Sequence, residues 1–147
     1  MTNRRFKHED IIPLLDNLGE GFKKEVLGQS VEGRDIVGVR WGSGATKVLL
    51  WSQMHGNEPT ATMALFDIFN FLKKEGQDLA NQLSLLVITM LNPDGTERFQ
   101  RENALGVDLN RDALHQKMPE TKVLFQAAWN FEPDFAFNLH DQRRLFN

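Results

Sequence analysis

The sequence predicts an α/β fold with a largely parallel sheet. Two observations predict it. Three apolar runs of strand length, KVLLWSQM at 47–54, LSLLVITML at 83–91 and PDFAFNLH at 133–140, are nearly continuous. Such runs suit strands covered on both faces, because a strand with one wet face alternates apolar and polar residues. Between the runs lie segments with apolar residues at helical spacing, so strands and helices alternate along the chain.

Each element follows from local signals. Ile11, Ile12, Leu14, Leu15 and Leu18 form a helical stripe over His8 to Leu18, and Gly19 and Gly21 follow where a stop belongs. Phe22 to Gln29 and IVGVRWG at 36–42 read as two strands joined by the SVEGRD turn, a hairpin that opens the sheet. GSGAT is a further turn, and KVLLWSQM is a central strand. Pro59 falls at a plausible N1 position of a helix over 60–76, which ends in Lys73, Lys74 and Gly76. The run at 83–91 is a buried strand closed by NPDG, a turn signal. TERFQRENALGVDLNRD has no clear period and reads as a long ordered loop. PETKVLFQAAWNF is another helix, and the run at 133–140 is a third buried strand ending on His140.

The 147 residues make one domain, 1–147, of ordinary globular composition, 41% hydrophobic and 25% charged. A net charge of −3 offers no basic excess for nucleic acid or an anionic membrane. Cysteine is absent, which excludes a disulfide framework and a thiolate metal site. No window reaches the roughly 18 apolar residues of a membrane span. The N-terminal stretch lacks the apolar core of a signal peptide, so a cytoplasmic location is expected.

In open α/β sheets, sites form at the carboxyl ends of strands. His55 with Glu58, the NPDG turn and His140 all fall there. Imidazole and carboxylate suit a catalytic zinc, which takes three protein ligands and keeps one position open. In QMHGNEP, Gly56 would let the backbone turn so that His55 and Glu58 face one point, with His140 arriving from a neighbouring strand. Asp108 could accept the other ring N–H of a metal-bound His. Arg101 and Arg111 could grip a carboxylate or stabilise an oxyanion. Each of these residues, taken singly, is more often an ordinary loop residue. His8, His115, Arg4, Arg5, Arg143 and the Lys73–Lys74 pair are read as solvated surface residues.

HGNE, then NPDG, then R-x-N-x-x-G-V-D-L-N-R, then NLH, in that order, resembles the zinc carboxypeptidase family of metallopeptidases. QSVEGRDI also matches a stretch that precedes the first zinc motif in many members, so the resemblance runs from about Gln29 to His140. It implies a three-layer α/β/α sandwich around a mixed sheet. It implies one zinc ion per chain on His55, Glu58 and His140, with Asp108 hydrogen-bonded to the first His. Arg101 matches the arginine that polarises the scissile carbonyl, and Asn110 with Arg111 matches the pair that holds a terminal carboxylate. The implied reaction is attack of a zinc-activated water on a C-terminal peptide bond. The family's general-base Glu, a mobile Tyr and the specificity pocket lie far beyond the third ligand. This chain ends seven residues after His140 and has no Tyr. None of Glu97, Glu102, Glu120 and Asp141 sits at the matching position. The expectation is therefore the N-terminal part of a catalytic domain, truncated at the C-terminus, with sheet edges exposed for self-association.

Two other readings are open. The related deacylase branch, with aspartoacylase-like and succinylglutamate desuccinylase-like enzymes, also carries HGNE and DLNR and cleaves N-acyl amino acids. A non-catalytic module that holds a peptide C-terminus is the other. The substrate is thus a peptide or a small amino-acid conjugate, with no nucleic acid or membrane partner.

Overall fold

The computed structural model describes residues 6–141; Arg4, Arg5 and Arg143 lie outside them. The elements run α1 (His8–Asp16), β1 (Phe22–Gln29), β2 (Asp35–Trp41), β3 (Thr46–Ser52), α2 (Thr60–Glu75), β4 (Leu83–Ile88), α3 (Pro93–Arg98), α4 (Leu109–Asp112), α5 (Pro119–Phe131) and β5 (Phe135–Leu139). The five strands form one sheet in the order β1-β2-β4-β3-β5. β1 and β2 are the antiparallel hairpin, and β2 pairs antiparallel with β4. β3 runs parallel to both β4 and β5. The sheet is therefore mixed, its parallel part lying at the β5 side.

Helices cover both faces, which makes three layers. On one face, Ile11 and Leu15 of α1 and Leu65, Phe69 and Leu72 of α2 pack on Val37, Val39, Trp41, Leu85 and Val87. On the other, Leu109 of α4 and Leu124, Ala127 and Phe131 of α5 pack on Ile36, Leu49, Leu86 and Ile88. The alternation along β2 and β4 decides which residue goes to which face. Each fully buried Leu, Ile or Phe contributes about 1.5–3 kcal/mol.

Five sequence expectations change. NPDG does not close a turn: Asn92 Oδ1 accepts from Gly95 N at 2.9 Å and Pro93 takes the first helical position, so the tetrapeptide starts α3. The long loop then shrinks to the residues between α3 and α4. Pro59 is the N-cap of α2 and not its first residue. Its missing capping group is supplied from β5's far end, where Asp141 accepts from Thr60 N and Oγ1 at 3.2 and 2.8 Å and from Ala61 N at 3.3 Å. β5 is an edge strand, not a buried one: it pairs only with β3 among the described residues, and Phe135 and Phe137 are 56% and 49% exposed. His8 is not simply solvated, since its Nε2 lies 2.9 Å from the Asp35 carbonyl; His115 is exposed.

Two contacts fix the loop after β3. Gly56 does not use a left-handed φ; it is needed for close approach, because a Cβ there would lie 2.1 Å from the carbonyl carbon of Gly95 and 2.3 Å from Thr96 N. Gln53 does adopt positive φ, 45°. Its buried amide donates to the Gly56 carbonyl at 3.2 Å and Thr96 Oγ1 at 3.0 Å and accepts from Thr62 Oγ1 at 2.7 Å. The β1–β2 turn is clamped to α3 through buried Asp94, which accepts from Ser30 Oγ at 2.8 Å, Glu32 N at 3.0 Å and Arg34 Nη1 at 2.7 Å. Arg98 and Arg34 hydrogen-bond Glu32 and hold its carboxyl at about 2, below the ordinary 4.5.

Gly56→Ala should cost about 1–3 kcal/mol by overpacking, read as a lower urea midpoint with an unchanged slope. An unchanged midpoint would show that α3 can yield. The depressed Glu32 carboxyl contributes stability that is present above pH 4.5 and lost as pH falls toward 2. Glu32→Gln should flatten the stability profile in that window; a profile parallel to wild type would remove the clamp from the account.

Candidate metal centre

Parallel pairing of β3 with β5, Ser52 opposite Leu139, brings the residues after both strands to one edge of the sheet. His55 and Glu58 follow β3, and His140 follows β5. Leu91 N and Asn92 N donate to the Ser52 and Gln53 carbonyls, each at 3.0 Å, which brings the start of α3 to the same edge.

The structure gathers five of the seven candidate residues. Glu58 lies between the two imidazoles, Oε1 3.0 Å from His55 Nδ1 and Oε2 2.8 Å from His140 Nδ1. The His55 and His140 rings are 4.8 Å apart at their centroids. Asp108 Oδ1 lies 3.1 Å from the opposite nitrogen of His55, Nε2. Arg101 Nε donates to Asp108 Oδ2 at 2.9 Å, and its Nη1 lies 3.1 Å from His55 Nδ1 and 3.6 Å from Glu58 Oε1. Asp108 is also the N-cap of α4, accepting from Asn110 N at 2.9 Å, so one carboxylate joins a helix start to the His55 ring. Asn110 and Arg111 sit in that first turn, both exposed, and among the described residues their side chains do not reach the cluster.

Burial alone would push the Glu58 carboxyl up, but the His140 hydrogen bond and the charges of both imidazoles outweigh it and hold it below the ordinary range. Asp108 behaves alike: burial raises it, and the hydrogen bonds of Arg101 and His55 lower it further. Both acids are thus ionised and ready to act as acceptors or ligands at neutral pH. His55 and Glu58 are buried at 2% and 4% exposure, whereas His140 is exposed, so the cluster opens to solvent on the His140 side.

The donor set fits zinc. His55, Glu58 and His140 offer two imidazole nitrogens and a carboxylate oxygen, all within 4.8 Å of one another. Tetrahedral zinc with bonds of about 2.0–2.1 Å holds its ligand atoms roughly 3.3 Å apart. Asp108 on Nε2 leaves Nδ1 of His55 turned toward Glu58, the arrangement that fixes a ligating tautomer.

The supporting residues carried little signal. Gln53, Asp94, Glu120 and Asp141 find partners in distant segments, Thr62 and Asn103 find theirs nearer in the chain, and each reads locally as an ordinary polar residue.

The chain is similar to known carboxypeptidases in sequence and in fold. Carboxypeptidase 2 of Trichophyton rubrum is 31% identical over 100 residues, 65% of this chain and 19% of that protein. Carboxypeptidase E of Caenorhabditis elegans is 35% identical over 112 residues, 58% of this chain and 24% of that one. A metallo-carboxypeptidase of Pseudomonas aeruginosa, solved with (2-guanidinoethylmercapto)succinic acid, superposes with a TM-score of 0.85 at 26% identity, covering 92% of this chain and 40% of its own. The chain thus spans about a fifth of the first two relatives and two fifths of the third. Residues 14–143 match the model of the zinc carboxypeptidase family, and this chain belongs to that family.

Proposed function

We propose that the cluster at the sheet edge is the metal centre of a peptide-cleaving zinc carboxypeptidase, with His55, Glu58 and His140 as ligands of one zinc ion. The observation that carries this reading is the convergence of the three ligand atoms within 4.8 Å, backed by Asp108 on the far nitrogen of His55. Bound zinc would supply a Lewis acid and a water of lowered pKa.

The chain's own residues do the rest. Asp108 holds the His55 ring in one tautomer and orientation. Arg101, half-buried beside His55 and Glu58, is the catalytic residue of this reading: it donates to the scissile carbonyl oxygen and stabilises the negative charge that develops there. Asn110 and Arg111 hold the terminal carboxylate of a peptide, for which a guanidinium offers two parallel donors. Arg111 is exposed and engages no carboxylate among the described residues. The succinic acid bound by the Pseudomonas enzyme carries the carboxylate chemistry such a subsite takes. No general base is assigned to this chain. Glu97 pairs with Lys7 at 3.5 Å, Glu120 is buried against Val31 and Asn103, and Asp141 caps α2. Glu102 has no assigned part.

The chain alone should therefore bind metal and turn over peptide poorly, with hydrolysis belonging to a longer protein. Elemental analysis of the purified chain should find about one zinc per chain, lost in His55→Ala. Absence of zinc from both proteins, or rapid peptide turnover by the 147-residue chain, would sink this reading. In the longer protein, cleavage of N-acyl amino acids in preference to C-terminal peptide bonds would favour the deacylase chemistry instead.

We also propose that the β5 edge drives self-association. Its outer backbone groups are unpaired among the described residues, and Phe135 and Phe137 stand exposed beside them. Sedimentation should show concentration-dependent assembly that Phe137→Lys weakens; a monomer at all concentrations would rule it out.

A further inference from the structure

The segment between α3 and α4 carries both side chains that flank His55, Arg101 and Asp108. One buried side chain organises it. Asn103 is fully buried, and its Oδ1 accepts from Leu105 N and Val107 N, each at 3.0 Å. Its backbone N–H donates to the Val107 carbonyl at 3.0 Å, and its carbonyl accepts from Gln100 Nε2 at 3.0 Å. Its remaining group, Nδ2, points out of the loop and donates to Glu120 Oε2 at 3.3 Å.

Glu120, on α5, is also fully buried. Its other oxygen accepts from Val31 N at 3.1 Å. Among the described residues it forms no ion pair; burial and the nearby charge of Asp94 push its carboxyl up. A buried acid without a cation destabilises a fold. Breaches of this kind are expected where a site needs support.

We propose that Glu120, acting through Asn103, is a positioning pair that holds Arg101 and Asp108 against His55. Arg101 lies two residues before Asn103, and Asp108 directly follows Val107, whose N–H and carbonyl are both bound by Asn103. The pair anchors this loop to α5 and, through Val31, to the β1–β2 turn, without touching His55, Glu58 or His140. The inference rests on the metal-centre reading above.

A polarity swap tests it. In Asn103→Asp the acceptor for Leu105 and Val107 survives, but the donor to Glu120 is lost and two carboxylates meet. In the double variant N103D/E120Q, the amide introduced on α5 donates to the carboxylate introduced in the loop and still accepts from Val31 N. The probe is zinc alone, its affinity read by chelator competition, with far-UV circular dichroism as the check on folding. N103D should bind zinc about tenfold more weakly, the scale expected when the group behind a ligating His is disturbed. The swapped pair should recover most of that loss. In an Asp108→Ala background, N103D should add nothing to the loss of zinc affinity, because, of the two side chains it positions, the one that orients the ligating His55 is gone. Wild-type affinity in N103D, no recovery in the swap, or an additive loss with Asp108→Ala would overturn the proposal. Unfolding of both N103D and the swap would also overturn it, since the pair would then hold the whole fold and not the loop. A wild-type chain that takes up no zinc removes the metal-centre reading, and the positioning role with it.

Discussion

The register of one parallel strand pair governs everything at the sheet edge. β5 pairs with β3 so that Leu139 stands opposite Ser52, and the next residue, His140, arrives beside Glu58. A slip of one residue would turn every β5 side chain to the other face of the sheet. It would carry His140 away from the carboxylate that it now meets at 2.8 Å. Asp141 reinforces the register from outside the strand by capping α2, so the helix that begins just after Glu58 is fastened to the residue just after His140.

The rest of the site is a set of supports for that meeting. Close approach at Gly56 seats the β3 loop on α3, and the buried Gln53 amide locks it there. Asp94 and Glu120 then fasten the β1–β2 turn to α3 and α5. These are polar contacts in a dry interior, where a satisfied network is rigid and a missing partner is costly. Rigidity of this kind suits a centre whose ligands have to stay within a few tenths of an ångström.

Much of this could be read from the sequence. β1 and α5 fall where their apolar patterns put them, and the two strand ends that carry His55, Glu58 and His140 follow from apolar runs that stop at polar residues. NPDG misled because Asn and Pro favour turns and helix starts for the same reasons, a side-chain acceptor and a fixed φ. The exposure of β5 was hidden because an apolar run reports what a strand could bury, not what packs on it. Asp94 and Glu120 were invisible because their partners lie far away in the chain: Asp94 meets Ser30 across 64 positions, and Glu120 meets Val31 across 89. Asn103 sat inside a recognised motif without a role until the contact with α5 gave it one.

The order of strands has a kinetic consequence as well. β1 and β2 are neighbours in sequence and can pair by closing a short turn. The contact between His140 and Glu58 instead spans 82 positions, and the Asp141 cap of α2 spans 81. The entropy of closing so long a segment has to be overcome before either contact returns any energy. Docking of β5 therefore belongs to the slow, late part of folding, and the polar cluster at its end comes together after the hairpin is in place.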